Sequence, residues 1–484
     1  MCWARSLLYC FVNLTIWSGN KPIGVTVVEY TPDVRAGRLG AADYAARFAD
    51  TVPLMSASQA MMEAQRCLYC FDAPCQTACP TNIDVPSFIH RISDGNHRGA
   101  ASTILESNPL GGMCARVCPT EVLCEQVCVR QTQQGKAIEI GRLQRFAVDS
   151  LMASPAPQPF VRAAATGKRI AVVGAGPAGL ACAHMLARLG HDVVIFEARP
   201  KAGGLNEYGL ATYKTTDGFA QKEIAWLLSI GGIRIEHGYQ FNASALKTLQ
   251  SSFEAVFLGI GLGKAAALNL PGEDLAGVRS AVDFIAELRQ SDPATVPIGR
   301  RVVVIGGGMT AVDASVQAKL LGAEVVHMAY RRGKEQMSAS AAEQDWACTN
   351  GVVLNHWLAP VEIQGSGPDG RGHVCAVRFA EQALVEGRLQ PTGRELRFEA
   401  DMVFKAIGQQ LDEGVLAVSG LSLRDGRIAT TEDGATNLKG VWAGGDCRAG
   451  GLDLTVEAVE HGKKAAAAIH AAITSAPTSV ETGK

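Results

Sequence analysis

The feature that most constrains the fold is a unit that occurs twice: an apolar strand, a glycine-rich turn, a helix and a second strand. The turn positions are Gly174, Gly176 and Gly179 in the first copy and Gly306, Gly308 and Ala311 in the second. This pattern is typical of βαβ units that hold a pyrophosphate at a helix N-terminus, where unpaired backbone N–H groups favour anions. Two copies predict two nucleotide-binding domains; for the first copy the alternative is a tight turn without a ligand.

The two copies differ where their second strand ends. In the first copy Glu197 stands there, and we expect it to hold the hydroxyl groups of a ribose. In the second copy no carboxylate follows Met328, and Tyr330, Arg331 and Arg332 occupy the position instead. A pair of arginines suits a 2′-phosphate and so favours NADPH, whereas a carboxylate would repel it. The alternative is that these arginines belong to a solvated loop.

A third motif lies near the C-terminus. The segment Thr436–Asp446, followed by the probable helix start at 454–458, resembles the second flavin motif of two-dinucleotide flavoprotein reductases. That resemblance assigns Asp446 to the ribityl chain of FAD and places Val456 at the helix N-terminus that faces the flavin. The alternative is a glycine turn with a polar loop. The stretch 402–408 fits the return of the chain from the nicotinamide domain to the flavin domain.

Eight of the fourteen cysteines lie in one stretch. They are Cys67, Cys70, Cys75, Cys79, Cys114, Cys118, Cys124 and Cys128. Close pairs joined to distant partners suit cubane iron-sulfur clusters. Zinc is the competing interpretation, because Cys-x-x-Cys pairs also form zinc sites, but zinc carries no electrons. Disulfide scaffolds are short and secreted, so a reducing cytoplasm is the expected location.

Length and charge limit the other possibilities. A chain of 484 residues is expected to form about three domains. Its 45 basic and 47 acidic residues nearly balance, so we expect neither nucleic acid nor an anionic membrane as a partner. The apolar run at 7–17 is shorter than the roughly 20 residues needed to span a bilayer. A signal peptide is the alternative there, but a mis-assigned start or a loosely ordered arm is favoured.

The predicted fold class is α/β, with an all-α iron-sulfur domain before two Rossmann-like domains, the second inserted into the first. The expected segments are an N-terminal arm (1–50), a helical 4Fe-4S domain (51–160), the first half of an FAD domain (166–290), an NAD(P)H domain (291–408), the second half of the FAD domain (409–475) and a tail (476–484). Three prolines within 153–160 mark the linker after the helical domain.

The cysteine region is recognisable as a whole. The runs Cys67–Thr81, Asn108-Pro-Leu-Gly, Cys118-Pro-Thr and Ile140–Phe146 resemble the N-terminal half of dihydropyrimidine dehydrogenase. The resemblance continues to about residue 470, and as a separate chain it resembles the small flavin-bearing subunit of the bacterial NAD-dependent enzymes. The glutamate synthase small subunit has the same architecture and is the nearest competitor.

The resemblance implies two 4Fe-4S clusters. A first ligand set would be Cys67, Cys70, Cys75 and Cys128, and a second ligand set would be Cys79, Cys118, Cys124 and Gln144. Cys114 would lie near a cluster without binding it. Gln144 is the most discriminating of these residues, because a neutral amide in place of a thiolate changes the charge that helps to set a cluster's potential. Without the resemblance, Gln144 is an ordinary polar residue on a helix.

The same resemblance implies an electron path and a partner. NAD(P)H would pass hydride to FAD, and single electrons would then pass through the clusters to an FMN- and iron-sulfur-containing catalytic subunit, in a heteromer of two copies of each chain. No catalytic residue is assigned to this chain. The bacterial relatives use NADH, which leaves the preference between NADH and NADPH open. The stretch Tyr208–Lys214 replaces a proline-containing segment of those relatives and is expected to border the flavin.

Three other functions remain. In a glutamate synthase the same module would feed an amidotransferase subunit, and a further partner of another kind is conceivable for such a reductase. A non-catalytic cluster-carrying assembly protein would have degenerate nucleotide sites, whereas Gly174, Glu197 and Asp446 are all present here.

Overall fold

The computed structural model of the protein describes residues 36–155, 157–367, 370, 372–412 and 420–475. The predicted tail and residues 1–35 of the predicted arm lie outside the described residues. The rest forms a helical domain followed by two domains built on parallel sheets. Among the described residues, no helix is both long enough and apolar enough to cross a membrane.

The N-terminal part is helical, and its first strand begins only at Arg169. Its helices are α1 (Ala41–Arg47), α2 (Ala57–Ala64), α3 (Pro74–Thr77), α4 (Val85–Ser93), α5 (His97–Ser107), α6 (Gly111–Val117), α7 (Val129–Gln134) and α8 (Ile140–Met152). Helices α4, α5 and α8 place Phe88, Ile104 and Leu143 in a core where none of the three is exposed. Six of the eight clustered cysteines lie in loops or at helix ends around this core, and Cys75 and Cys114 lie within the short helices α3 and α6.

The first described residues belong to a different domain from the helices that follow them. Tyr44 on α1 is buried, and its hydroxyl donates to the carbonyl of Leu321 at 3.4 Å. Ala36 N donates to the carbonyl of Ile298 at 3.1 Å. The part of the predicted arm that the structure describes therefore packs against the second nucleotide domain.

The first nucleotide domain contains a parallel sheet of five strands in the order β17-β4-β1-β2-β3. They are β1 (Arg169–Val173), β2 (Asp192–Glu197), β3 (Ile233–His237), β4 (Ala255–Leu258) and β17 (Val441–Ala443). Its helices are α9 (Pro177–Arg188), α10 (Leu205–Tyr208), α11 (Phe219–Leu228), α12 (Ala243–Ser252) and α16 (Thr455–Thr474). Helices cover both faces, so β4 is buried along its whole length and β1 is buried after its first residue.

The second nucleotide domain repeats this plan. Its parallel sheet has the order β6-β13-β7-β8-β9 and contains β6 (Val278–Ser280), β7 (Arg301–Ile305), β8 (Val325–Tyr330), β9 (Val353–His356) and β13 (Met402–Lys405). Helices α13 (Ala281–Gln290), α14 (Met309–Leu320) and α15 (Ala341–Thr349) pack on it. An antiparallel sheet of β10 (Leu358–Gly365), β11 (Val374–Val385) and β12 (Arg388–Glu399) covers the other face.

The two connections between these domains run side by side. Strand β5 (Lys264–Ala265) leaves the first domain and pairs antiparallel with β14 (Gln409–Gln410), which returns to it. The short hairpin of β15 (Leu423–Arg424) and β16 (Arg427–Ile428) follows, and β17 then completes the first sheet. The predicted fold class is confirmed, including the insertion of one Rossmann-like domain into the other.

Candidate cofactor sites

The first glycine turn is held together by close backbone contacts. A Cβ atom on Gly179 would lie 1.9 Å from the carbonyl oxygen of Gly174, and one on Gly174 would lie 2.4 Å from that of Gly259. Gly174 also has a φ of +96°, in the region that glycine tolerates best. Both glycines are therefore required for the strand, the turn and the helix to pack this closely.

Gly176 differs from them because nothing crowds it. The nearest atom to a Cβ built there would be the Cα of Gly204, at 3.9 Å. Gly176 is the N-cap of α9, which has no side-chain cap. The N-terminus of α9 therefore has unpaired backbone N–H groups, and neither Gly176 nor Gly204 places a side chain beside them. This arrangement fits a pyrophosphate. Gly204 was not predicted, and its neighbour Gly203 is the only sequence signal that could have suggested it.

Glu197 lies at the end of β2, directly beside this turn. Its carboxylate accepts from the backbone N–H of Ala175 at 2.7 Å and from that of Arg199 at 2.8 Å. It is largely buried. These two bonds fix the carboxylate at the mouth of the glycine turn, which is the position expected for a group that binds the ribose of a nucleotide.

Asp446 and the start of α16 form the other end of the first site. Burial, and next the neighbouring Asp453, raise the pKa of Asp446 to about 6. No described residue donates a hydrogen bond to its carboxylate, which leaves it available to a ligand hydroxyl. Val456 is the second residue of α16, whose N-terminus has no side-chain cap. Beside it, Thr455 donates to the Oδ1 atom of the buried Asn206 at 2.9 Å. This arrangement fits the flavin end of FAD.

The second glycine turn has the same backbone plan, but an aromatic ring lies over it. A Cβ atom on Gly306 would lie 2.2 Å from the carbonyl oxygen of Ala406, Gly308 caps α14, and Ala311 is fully buried. The ring of Tyr330 lies over the turn, 2.4 Å from where a Cβ on Gly307 would stand. The turn therefore offers backbone N–H groups at a helix N-terminus, as the first turn does.

Arg331 and Arg332 follow β8 at the mouth of this second site. Both side chains are exposed and line one open cavity with Gln336 and with Arg388 from the tip of the β11–β12 hairpin. Arg388 was not predicted, because it lies far along the chain from the glycine turn and no motif surrounds it.

The four cysteines of the first ligand set meet at one cavity. Cys67, Cys70, Cys75 and Cys128 line it together with apolar side chains such as Ile89 and Ile140. Burial, and then the neighbouring thiolates of Cys67 and Cys128, raise the pKa of Cys75 to about 12. The structure thus brings Cys128 to the other three, a grouping that spacing along the chain did not reveal.

The second ligand set is assembled at the end of α6. The pKa of Cys118 is raised by a hydrogen bond with the thiol of Cys114, by burial and by the nearby Cys124 and Cys79. Cys124 in turn has its pKa raised by burial, by Glu125, by Cys79 and by Cys75 of the first ligand set. Cys79, Cys118 and Cys124 are therefore neighbours, and Cys114 lies against Cys118.

Gln144 is buried on α8, next to the start of α6. Its Nε2 atom donates to the carbonyl oxygen of Gly111 at 2.7 Å, which fixes the orientation of the amide. No described residue donates to its Oε1 atom. The free carbonyl oxygen is the atom that an iron would need, so the orientation of this amide fits a ligand role.

A cluster and a single zinc ion place different demands on the cysteines. A zinc site needs all its sulfurs at about 2.3 Å from one atom. Cubane clusters spread their thiolates over several irons. The four cysteines of the first ligand set line one cavity, an arrangement that suits a cubane cluster.

The helical domain that carries the eight clustered cysteines, here called the cysteine domain, packs directly against the first nucleotide domain. Glu223 of α11 is fully buried and accepts from the N–H groups of Gly112 and Met113, the nearer at 2.7 Å, at the N-terminus of α6. Burial raises its pKa to about 8. Arg116 stacks over the ring of Phe219 at 3.3 Å. Sequence analysis did not predict this contact, because a glutamate on a helix gives no signal for it.

A second buried contact joins the two nucleotide domains. The Lys214 amine lies 2.8 Å from a carboxylate oxygen of Asp313 and 2.7 Å from one of Glu343. Tyr213 donates to Asp313 at 3.3 Å. The stretch Tyr208–Lys214 thus fixes the first nucleotide domain against α14 and α15 of the second.

Two family models match the chain and divide it as the structure does. Residues 44–155 match "dihydropyrimidine dehydrogenase domain II, 4Fe-4S cluster". Residues 168–462 match "pyridine nucleotide-disulphide oxidoreductase". The match to a 4Fe-4S domain agrees with the cysteine geometry, and the second match agrees with the paired nucleotide sites.

Curated relatives cover almost the whole chain. The NAD-dependent dihydropyrimidine dehydrogenase subunit PreT of Salmonella typhimurium is 34% identical over 414 residues, 85% of this chain and 94% of that protein. The glutamate synthase [NADPH] small chain of Halomonas elongata is 33% identical over 464 residues, 91% of this chain and 96% of that protein. Among solved structures, Mycobacterium tuberculosis FprA in complex with NADPH has a TM-score of 0.51 at 20% identity, covering 62% of this chain and 84% of that one, which supports the fold alone.

Proposed function

This chain belongs to the oxidoreductase family that includes the dihydropyrimidine dehydrogenase subunit PreT and the glutamate synthase small chain, and on that premise we propose that it is the electron-transfer subunit of a dihydropyrimidine dehydrogenase. It would oxidise NAD(P)H and supply electrons to a partner that reduces uracil or thymine. The observation that carries the proposal is the docking of the cysteine domain on the first nucleotide domain through Glu223 and α6. Electron transfer needs that proximity.

The residues that would hold FAD act by positioning. The N-terminus of α9 would bind the pyrophosphate, Glu197 a ribose, and Asp446 with the start of α16 the flavin end. When bound, FAD supplies the exchange between a two-electron hydride donor and one-electron acceptors, a chemistry that belongs to the cofactor. The protein's own part is to hold these groups in fixed relation, with the Lys214 contact setting the angle between the two nucleotide domains.

The two ligand sets would hold two 4Fe-4S clusters. Four cysteines around one apolar cavity support the first cluster, and three neighbouring cysteines with the amide of Gln144 support the second. To test the count, iron and flavin are measured in wild type, in Cys70→Ser and in Cys348→Ser, an exposed cysteine outside both sets. We expect about eight irons per flavin in wild type, about four in Cys70→Ser and no change in Cys348→Ser. A value of about four irons per flavin in wild type would mean that the chain holds one cluster and would reject the second.

The partner would be an FMN- and iron-sulfur-containing subunit, in a complex with two copies of each chain. The described residues form three domains, and none of these is a barrel that could hold FMN above a pyrimidine. PreT is named as a subunit, which supports the expectation of a second polypeptide.

The test is anaerobic oxidation of NADH and of NADPH by this chain together with its FMN-containing partner. Uracil or thymine is added in one arm, and glutamine with 2-oxoglutarate in another. We expect the pyrimidine to trigger oxidation. Failure of both nucleotides to bleach the flavin absorbance of fully flavin-loaded protein would reject the proposal altogether.

A second candidate is the small subunit of a glutamate synthase. Arg331 and Arg332 suit the 2′-phosphate of NADPH, and the Halomonas elongata relative is named as an NADPH enzyme. If glutamine with 2-oxoglutarate, and not a pyrimidine, triggers oxidation in the same assay, this candidate replaces the first.

A further inference from the structure

Three arginines from two distant segments surround one open cavity. Arg331 and Arg332 follow β8, and Arg388 stands at the tip of the β11–β12 hairpin. The cavity measures about 450 Å³ and is also lined by Gln336, Leu384 and Leu389. This volume lies in the ordinary range of small-molecule sites.

The lining offers hydrogen-bond donors and no counter-charge. None of the residues that line the cavity is acidic. The Oε1 atom of Gln336 accepts from the N–H of Gly333 at 2.9 Å, so its amide NH₂ is what remains for a ligand. In the described part of the chain, neither Arg331 nor Arg332 forms an ion pair. Guanidinium groups left without carboxylates around a cavity favour an anionic ligand with several oxygens.

Arg388 is distinct among the arginines of its hairpin. Arg378 pairs with Glu362 and Glu395, and Arg394 pairs with Glu381. Arg397 lies 4.0 Å from Glu399. Within the described residues, Arg388 is the arginine of β11 and β12 that has no acidic partner. Its charge is therefore left for something outside the protein.

The hairpin holds Arg388 at a defined place. Residues Glu386 and Gly387 form a two-residue turn with φ values of +49° and +77°, and Val385 pairs with Arg388 on either side of it. Turns with two positive φ values are the tight type that matches the twist of a hairpin. The register is thereby fixed, and Arg388 is the first residue after the turn.

We propose that Arg388 is a specificity residue that binds the 2′-phosphate of the nicotinamide nucleotide together with Arg331 and Arg332. The adenosine ribose of a nucleotide on the second glycine turn would lie at the end of β8, next to these arginines. Leu384 and Leu389 supply the apolar wall of the same cavity. The inference rests on the proposed function, because it takes the second domain to be the one that binds NAD(P)H.

The test compares two ligands of similar charge that differ in where a phosphate stands. Adenosine 2′,5′-bisphosphate and adenosine 5′-diphosphate are titrated calorimetrically into the flavin-loaded protein. Wild type should bind adenosine 2′,5′-bisphosphate at least about tenfold more tightly than adenosine 5′-diphosphate, since a hydrogen bond to a charged group contributes that much or more. Arg388→Gln should lose roughly tenfold for the 2′,5′-bisphosphate and less than about twofold for the diphosphate. Arg388→Lys should recover part of the loss.

The matched control is Arg394→Gln, which removes the same charge from the same strand but outside the cavity. It should leave both affinities unchanged. Equal losses in Arg394→Gln and Arg388→Gln would mean a general charge effect and would overturn the proposal. So would a wild type that binds the two ligands equally.

Kinetics separate this inference from the proposed function. In Arg388→Gln the KM for NADPH should rise, while the KM for NADH and the kcat with either nucleotide stay at wild-type values. If the flavin is never reduced but the bisphosphate binds through Arg388, the inference stands and the proposed function fails. If NADPH reduces the flavin and Arg388→Gln changes no KM, the inference fails and the function stands.

Discussion

The two nucleotide sites share a backbone plan and differ in how it is completed. In the first site the Glu197 carboxylate accepts a hydrogen bond from the N–H of Ala175 in the glycine turn and is largely buried. In the second site the ring of Tyr330 covers the turn, and Arg331 and Arg332 project into an open cavity. On the proposed function, the glycine turn would bind a pyrophosphate in both domains, while the end of the following strand would select the rest of the nucleotide.

The difference in burial suits two kinds of nucleotide. A closed site whose acceptors are already held in place loses little side-chain freedom when the cofactor binds, so it suits a resident group. An open site lined by exposed arginines suits a co-substrate that must enter and leave at every turnover. The cysteine domain packs against the closed site, through Leu110 in the core of the first nucleotide domain.

The largest effect is expected at the third turn position, where the two sites carry different residues. In Gly179→Ala the new methyl group would lie 1.9 Å from the Gly174 carbonyl oxygen, so the turn must open. We expect a loss of stability of at least about 3 kcal/mol and loss of flavin, measured by thermal unfolding and by the flavin-to-protein ratio.

Ala311→Gly is the reciprocal change and serves as the control. It should cost only about 1 kcal/mol, because glycine lowers helix propensity there without any clash. Equal stability losses in the two variants would contradict the view that the first turn is the more tightly packed.

An effect of similar size is expected at the contact that joins the two nucleotide domains. Lys214→Met leaves Asp313 and Glu343 buried without their cation, which typically costs roughly 3–5 kcal/mol. Denaturant unfolding measures the cost, and the rate of flavin reduction by NADPH should fall with it. Lys222→Met, at an exposed position on α11, should change stability by less than about 0.5 kcal/mol. A reduction rate unchanged in Lys214→Met would mean that this contact does not position the domains.

Sequence reasoning succeeded where the signal is local. Strands β1 and β7 are apolar runs that end in a glycine turn, and a helix follows each turn as expected. The insertion of one domain into the other was expected from the resemblance to two-dinucleotide flavoprotein reductases.

The parts that sequence reasoning missed are contacts between distant segments. Arg388 reaches the second site through a hairpin, Glu223 reaches α6 across a domain boundary, and Lys214 meets two acids of another domain. Each is a common charged residue whose partner is chosen by tertiary packing, so no spacing marks it. The grouping of Cys128 with Cys67 was expected only from the family resemblance, for the same reason.

A smaller effect is expected at the carboxylate that distinguishes the first site. Glu197→Gln keeps the shape but replaces one charged acceptor with an amide NH₂, which cannot accept from Ala175 or Arg199. Hydrogen bonds to charged groups contribute about 1.5–3 kcal/mol, so the affinity for FAD should fall roughly tenfold to a hundredfold. Fluorescence titration of flavin-depleted protein measures it. Asp192→Asn removes a carboxylate charge at the exposed start of the same strand and should leave FAD affinity unchanged. It therefore separates the effect of losing a charge from the effect of losing it beside the glycine turn.

The smallest effect is a pH dependence confined to the first site. The pKa of Asp446 is raised from 3.8 to about 6, chiefly by burial, so the folded protein binds this proton more tightly than the unfolded chain does. The free energy of unfolding must therefore fall as pH rises from about 4.5 to about 7, by about 2 kcal/mol.

Asp446→Asn has no such proton, so in flavin-depleted protein it should gain that amount relative to wild type over the same range. Denaturant unfolding at both pH values measures it, with Asp192→Asn as the control. A parallel pH dependence in wild type and Asp446→Asn would mean that this carboxylate is solvated in the empty site, which would make the first site as open as the second.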